Sequence, residues 1–148
     1  MATTFTNVFV HIIFHTKSPR VKMNEKDLPE IFRYIGGVID ATSGIAHMVG
    51  GRPDHIHILA TLPITLSLGD FIRSIKSNSS RWIKGLGTEY QDFAWQRGYG
   101  AFSVSTSQVK TVMDYIRNQK EHHRIHSAHE EFLLFLKKNG LEHMLADE

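Results

Sequence analysis

Two histidines separated by one residue form the clearest chemical feature of the chain. His55 and His57 flank Ile56 at the start of a stretch that is typical of a β-strand. Because alternate residues of a strand project from the same face, both imidazoles can hold one cation while Ile56 packs behind them. A divalent ion that polarises a phosphate needs rigid ligands and open coordination positions. The alternative is a pair of histidines on a solvent-facing strand. Asp54 is either an orienting partner of a histidine or a turn residue.

A tyrosine and a glutamine on a predicted helix form the second feature. Tyr115 and Gln119 are four residues apart and therefore share one helix face. A phenol is a weak nucleophile at its ordinary pKa and needs a nearby metal or base before it attacks. The pair indicates either an attacking phenol beside an amide that helps to hold an ion, or an amphipathic tyrosine at a helix surface.

Aromatic and basic residues are concentrated in the middle of the chain. The segment 95–99 (WQRGY) places aromatics beside an arginine, which is typical of a surface that stacks bases and neutralises phosphates. Core or interface anchoring is the alternative for Trp95 and Tyr99. The region from Arg73 to Arg97 is locally basic, although the formal net charge of the chain is only +2. Such a region either follows phosphates or is a solvated helix face.

Other histidines fall outside these motifs. His122, His126 and His129 have helical spacing and form a candidate second metal site. The dipole of a helix C-terminus is the alternative reason for histidines at such positions. His11 and His15 lie on the predicted first strand, and we expect them to be structural.

Length and composition limit the class of protein. The 148 residues suit one domain spanning 1–148. Hydrophobic residues make up 41% and charged residues 22%, which are ordinary values for a globular chain. No apolar stretch reaches the roughly 18 residues that span a bilayer, and no signal-peptide pattern is present. The absence of cysteine excludes disulfides and thiolate metal sites. We therefore expect a cytoplasmic protein with no membrane partner.

Apolar periodicity predicts the element order β-α-β-β-α-β-α-α. The predicted strands cover residues 4–16, 45–49 and 55–62, with one or two extended segments within 93–104. The predicted helices cover residues 24–41, 67 to 85 or 87, 105 or 107 to 124, and 129–138. Two βαβ-like halves around one central antiparallel sheet indicate an α+β sandwich of the ferredoxin-like type, with helices on one face or both.

Several stretches of the chain resemble one family in the right order. They are residues 52–59 (RPDHIHIL), 72–82 (IRSIKSNSSRW), 95–99 (WQRGY) and 109–119 (VKTVMDYIRNQ), together with the first strand at 9–17 (FVHIIFHTK). These stretches resemble the single-tyrosine HUH transposases of small bacterial insertion sequences (the 200/605 insertion-sequence group) and the repeat-associated tyrosine transposases. The resemblance covers most of the chain and implies the HUH endonuclease fold.

The resemblance also implies the roles of individual residues. His55 and His57 match the two histidines of the family's metal site, Gln119 matches the third protein ligand, and Tyr115 matches the nucleophile. The implied activity is a DNA transposase that cuts and rejoins single-stranded DNA at insertion-sequence ends through a 5′-phosphotyrosine intermediate. The implied cofactor is a divalent metal, Mg²⁺ or Mn²⁺, which orients the phosphate and stabilises developing charge.

Implied partners are DNA hairpins at the element ends and a second copy of the chain. In the family, active sites are completed in trans, so Tyr115 and Gln119 would face His55 and His57 of the other copy of a homodimer. The candidates for phosphate contact in this chain are Arg52, Arg73, Lys76, Arg81 and Arg97.

Two readings from other classes remain. A domesticated protein could bind DNA hairpins without transposition activity, although intact His55, His57, Tyr115 and Gln119 favour surviving cleavage chemistry. A histidine-triad nucleotide hydrolase would need a third histidine two residues after His57, where the chain has Leu59.

Overall fold

One four-stranded antiparallel sheet organises the chain, whose computed structural model describes residues 2–122 and 127–141. The strands are β1 (Phe9–His15), β2 (Ile45–Arg52), β3 (His55–Thr61) and β4 (Gly100–Val104). Their order across the sheet is β2-β3-β1-β4, and every neighbouring pair is antiparallel. Helix α1 (Leu28–Ala41) connects β1 to β2, and helix α2 (Leu68–Lys84) connects β3 to β4. The predicted ferredoxin-like α+β sandwich is therefore confirmed.

Helices pack on both faces of this sheet. Alternate strand residues such as Ile12, Phe14, Ile56 and Ile58 form the main core with α1 and α2. Three helices follow β4, namely α3 (Val109–Arg117), α4 (Gln119–His122) and α5 (Ala128–Lys138). They cover the opposite face, where Leu136 of α5 packs against Ile13 and Phe102. None of the helices in the described parts of the chain is long and apolar enough to cross a membrane.

Two predicted elements are shorter than the sequence pattern indicates. Residues 4–8 favour extended structure, but Phe5 is 90% exposed and β1 begins only at Phe9, where β3 and β4 pair with it. The extended stretch within 93–104 reduces to β4 and a single bridge between Thr16 and Trp95. A strand needs a partner for its backbone groups, and neither region has one along its whole length.

The predicted long helix after β4 is divided. It opens with a 3₁₀ turn at Thr106–Gln108, continues as α3, and is interrupted at Asn118 (φ −95°, ψ 24°) before α4 begins. Residues 123 and 124, its predicted end, lie outside the described residues.

A tight hairpin between β2 and β3 fixes the position of the two histidines. β2 runs past its predicted end to Arg52, and Gly51 has a φ of +150°. A Cβ on Gly51 would collide with the carbonyl oxygen of His55, so only glycine fits here. The hairpin starts β3 at His55, which pairs with His15 of β1.

Candidate active site

Both histidines of the motif lie inside the protein. His55 and His57 project from β3 toward α3 and α5 and are 1% and 0% exposed, so the solvent-facing alternative is wrong. Asp54 Oδ1 lies 2.7 Å from Nδ1 of His55, and His11 Nε2 lies 2.9 Å from Nδ1 of His57. Because each Nδ1 has such a neighbour, the Nε2 atoms of both rings are left to face the centre of the site. Asp54 therefore contacts a histidine as well as standing in the turn.

The predicted tyrosine and glutamine reach the same place. Gln119 is buried, and its Oε1 lies 2.9 Å from Nε2 of His55. The ring centroids of Tyr115 and His57 are 5.7 Å apart. Within this single chain, Tyr115 and Gln119 thus lie beside the chain's own histidines, in cis. The trans arrangement implied by the family resemblance involves a second copy and stays a prediction.

A carboxylate that the sequence analysis did not single out completes the cluster. Glu131 of α5 is 4% exposed, forms an ion pair with His57 Nε2, and lies 3.9 Å from Nε2 of His55. Glu130 and Glu131 both sit in the first turn of α5, where acids are favoured by the helix dipole alone. Sequence spacing does not distinguish the acid that turns inward from the one that stays in solvent.

The donor set fits a divalent ion. Ligand atoms of His55, His57 and Glu131 lie within 4.8 Å of one another, and the amide oxygen of Gln119 contacts the same imidazole. Imidazole nitrogen with carboxylate and amide oxygen is a combination that several divalent metals accept, so it does not choose between them. The structure therefore brings together a possible metal site that includes both predicted histidines.

The surroundings of Tyr115 keep its phenol protonated. Burial raises the pKa of Tyr115, and the neighbouring Glu131 carboxylate raises it further by its charge and by accepting a hydrogen bond. A hydrogen bond with the side chain of Gln119 acts in the opposite direction. A nucleophilic Tyr115 would therefore need a nearby positive charge or a proton acceptor.

A glycine allows the tyrosine helix to approach the sheet. Gly50 pairs with His57 across the β2–β3 ladder. A Cβ at Gly50 would lie 2.8 Å from both Cγ2 and the carbonyl oxygen of Ile116. This close approach sets α3 directly on β2 and brings Tyr115, the neighbour of Ile116, to the level of His57.

The residues predicted to contact phosphates are spread over the surface. Arg73 and Lys76 of α2 line a cavity of about 450 Å³ together with Trp95 and Tyr99. Arg52 instead holds Glu25 through its guanidinium, at 2.8 and 3.0 Å. The remaining two, Arg81 and Arg97, are exposed but do not line this cavity.

The two aromatics of the 95–99 segment have different surroundings. Trp95 is 8% exposed, packs edge-on against Phe14, and donates from Nε1 to Ser79 Oγ at 3.0 Å. It is therefore a core anchor. Tyr99 is 42% exposed, so its ring is accessible to a ligand.

The candidate second metal site remains a prediction. His126 and the side chain of His122 lie outside the described residues. His129 is exposed at the start of α5. On β1, His15 has its Nδ1 2.8 Å from Gln96 Oε1, which fits the structural role expected of it.

Comparisons with known proteins agree with this fold. A family model described as IS200-like transposase matches residues 4–119, and the chain belongs to that family. A transposase structure from Deinococcus radiodurans R1 is similar to 80% of this chain and 95% of that one, with a TM-score of 0.62 and 17% identity. A REP-associated tyrosine transposase bound to a REP hairpin is similar over 83% of this chain and 72% of that one, with a TM-score of 0.61 and 17% identity. The comparison with curated proteins gave no match.

These likenesses concern the fold, which is the HUH fold of transposases. The family match ends at Gln119, so α5 and its Glu131 lie beyond the matched residues. The carboxylate of the cluster is thus a feature of this chain that the family match does not include.

Proposed function

We propose that the chain is a metal-dependent transposase that cuts and rejoins single-stranded DNA, with Tyr115 as the nucleophile. The observation that carries the proposal is the position of the Tyr115 ring beside a buried cluster of two imidazoles, an amide and a carboxylate. Membership of a transposase family makes DNA the expected substrate.

We assign the metal ligands to four side chains of one subunit. His55 and His57 would bind through Nε2, Gln119 through its amide oxygen and Glu131 through its carboxylate. The expected ion, Mg²⁺ or Mn²⁺, supplies positive charge that polarises a phosphate and favours the deprotonated phenol.

The reaction exchanges one ester for another. The Tyr115 oxygen attacks a DNA phosphorus, and the bond from phosphorus to the 3′ oxygen breaks. The Glu131 carboxylate, which already accepts a hydrogen bond from Tyr115, relays the phenol proton through water to the departing oxygen. That oxygen becomes a 3′-hydroxyl, and the carboxylate is left ionised. In the reverse step a 3′-hydroxyl attacks the phosphotyrosine and Tyr115 regains a proton. Because the number of phosphate esters is unchanged, ATP is not required.

A cavity beside Tyr115 offers the DNA phosphate an approach to this site. Helix α5 covers His55 and His57, which are almost fully buried. Beside Tyr115, a cavity of about 210 Å³ opens between α3 and α5, with Lys138 at its wall. We propose that the scissile phosphate enters through this cavity, where a lysine favours its negative charge.

We assign single-stranded DNA binding to the α2 groove, the cavity lined by Arg73, Lys76, Ser77, Ser80 and Tyr99. Cations and hydroxyls contact phosphates, and an exposed aromatic ring stacks a base. The Lys76 ammonium donates to the carbonyl oxygens of Gln96 and Gly98 at 2.7 and 2.9 Å, which holds the groove wall in place. Gln96 in turn contacts His15, whose ring centroid is 5.7 Å from that of His55. These contacts connect the groove wall to the candidate metal site, although α2 and the two histidines lie on opposite faces of the sheet.

We propose a DNA hairpin at an element end as the substrate, because a REP-associated tyrosine transposase with a similar fold is bound to a REP hairpin.

Homodimerisation is a separate proposal. Exchange of α3 between two copies would give the same cluster with a tyrosine from the partner. Mixing Tyr115→Phe protein with His57→Ala protein tests it: restored cleavage indicates completion in trans, and an inactive mixture indicates the cis arrangement.

Covalent capture tests the proposed activity. The protein is incubated with labelled single-stranded DNA from the repeats that flank its gene, with Mn²⁺, and adducts that resist denaturation are separated on a gel. We expect an adduct that disappears in Tyr115→Phe, in His57→Ala and with EDTA, and persists in the control Tyr34→Phe. Hairpin binding without any adduct would instead favour the domesticated DNA-binding reading.

A further inference from the structure

A third histidine lies behind the candidate metal site. His11 of β1 is 2% exposed, and its Nε2 lies 2.9 Å from Nδ1 of His57. The two ring centroids are 5.1 Å apart, with an interplanar angle of 30°. His11 also has an apolar neighbour, because the ring of Phe135 of α5 packs edge-on against it with the ring centroids 4.9 Å apart. His11 is therefore held in one place by β1, β3 and α5.

The chemistry of imidazole gives this contact a direction. An imidazole that binds an ion through Nε2 must carry its proton on Nδ1, and that N–H needs an acceptor in a buried site. For His55, the carboxylate of Asp54 is in position to accept, at 2.7 Å. For His57, the atom in position is Nε2 of His11, which accepts when His11 carries its own proton on Nδ1.

We propose that His11 is a positioning residue that fixes the tautomer and ring orientation of His57 for metal binding. The inference rests on the proposed metal site and goes beyond it, because His11 acts through His57 and does not touch the ion. Partners behind metal-binding histidines commonly raise metal affinity in this way. An imidazole acceptor orients His57 without adding a second negative charge beside Glu131.

Two substitutions separate positioning from packing. His11→Phe keeps an aromatic ring against Phe135 but removes the acceptor. His11→Gln gives up the ring but can present an amide oxygen where Nε2 stands. His15→Phe is the matched control, because His15 lies on the same strand and face but its Nδ1 contacts Gln96.

Calorimetric titration with Mn²⁺ alone provides the readout, after thermal unfolding shows that each metal-free variant is folded. We expect His11→Phe to weaken Mn²⁺ binding about 10- to 100-fold, with His11→Gln recovering most of the loss and His15→Phe close to the unsubstituted protein. Nitrogen NMR of the Mg²⁺-loaded protein should also find the His57 proton on Nδ1.

Two results would overturn the role of His11 alone. One is unchanged Mn²⁺ affinity in His11→Phe while His57→Ala abolishes binding, which leaves the metal site standing. The other is an equal loss in His11→Gln and His11→Phe, which indicates packing. An unsubstituted protein that binds no Mn²⁺ overturns the metal site itself, and the role of His11 with it.

Discussion

Replacing Glu131 by glutamine tests whether α5 supplies a metal ligand. The substitution keeps the size and one carbonyl oxygen of the side chain but removes its negative charge. The carboxylate oxygen that pairs with His57 Nε2 also lies 3.9 Å from His55 Nε2, so one oxygen is near both candidate nitrogen ligands. Since Glu131 is only 4% exposed, water cannot easily take its place.

The size of the effect follows from this geometry. Losing a partner behind a metal ligand typically weakens metal binding about 10- to 100-fold, and losing a charged ligand should reach at least the upper end. We therefore expect Glu131→Gln to raise the Kd for Mn²⁺ about 100-fold, or by about 3 kcal/mol. Calorimetry on the purified protein measures this directly, without DNA.

Glu130 provides a matched control. It is the preceding residue on α5, is exposed, and loses the same charge when it is changed to glutamine. We expect Glu130→Gln to bind Mn²⁺ within about 2-fold of the unsubstituted protein, because exposed charges are strongly screened. Equal affinities for Glu131→Gln and the unsubstituted protein would refute the reasoning and leave His55, His57 and Gln119 as the whole ligand set.

Three further predictions concern DNA binding, helix docking and pH. Arg73→Ala should weaken the metal-free binding of single-stranded DNA and lower the salt dependence of that binding by about 1 in slope. Arg33 is the control, because it is also an exposed arginine paired with an acid three residues earlier, and Arg33→Ala should leave binding unchanged. Equal losses of binding for both variants in a filter-binding assay would exclude the α2 groove as the DNA site. Gly50→Ala should slow adduct formation and lower the free energy of unfolding, measured by chemical denaturation, by about 1–3 kcal/mol. The reason is that the added methyl group would lie 2.8 Å from atoms of Ile116. An unchanged unfolding free energy and an unchanged rate would contradict the close docking of α3 on β2. Burial raises the pKa of Tyr90 from 10.0 to about 12, so its neutral phenol contributes stability below pH 10 that is lost as the pH rises through 12. Between pH 10 and 12 the free energy of unfolding of Tyr90→Phe should therefore fall less steeply with pH than that of the unsubstituted protein. An equal fall in both proteins would contradict this role of Tyr90.

Local spacing was sufficient for the parts of the site that are close in the sequence. His55 and His57 share a strand face because side chains alternate along a strand. Gln119 stays near Tyr115 although the helix is interrupted between them at Asn118, and its side-chain amide donates to the carbonyl oxygen of Tyr115 at 3.4 Å. The fold class could be predicted because the order of the elements along the chain gives two βαβ-like halves, which few arrangements around one sheet accommodate. Each of these inferences uses local spacing or the order of the elements.

Long-range contacts determine the features of the site and the fold that the sequence pattern did not predict. Glu131 joins the site only because α5 folds back across the sheet, and His11 contacts His57 only through the β1–β3 pairing. The ends of β1 likewise depend on where β3 and β4 offer partners, which the extended composition of residues 4–8 does not reveal. The break between α3 and α4 at Asn118 could not be predicted, because no helix-breaking proline or glycine stands there in the sequence.

Identifying the residue that carries the DNA is the most direct test of the central claim. After reaction with single-stranded DNA and Mn²⁺, the protein is digested with nuclease and trypsin, and peptides bearing a 5′-phosphonucleotide are sequenced by mass spectrometry. Cleavage after Lys110 and Arg117 releases residues 111–117, in which Tyr115 is the one tyrosine. We predict the modification on Tyr115 in this peptide. Cleaved DNA with the modification on Tyr34, Tyr90 or Tyr99, or with no modified peptide at all, would contradict the account.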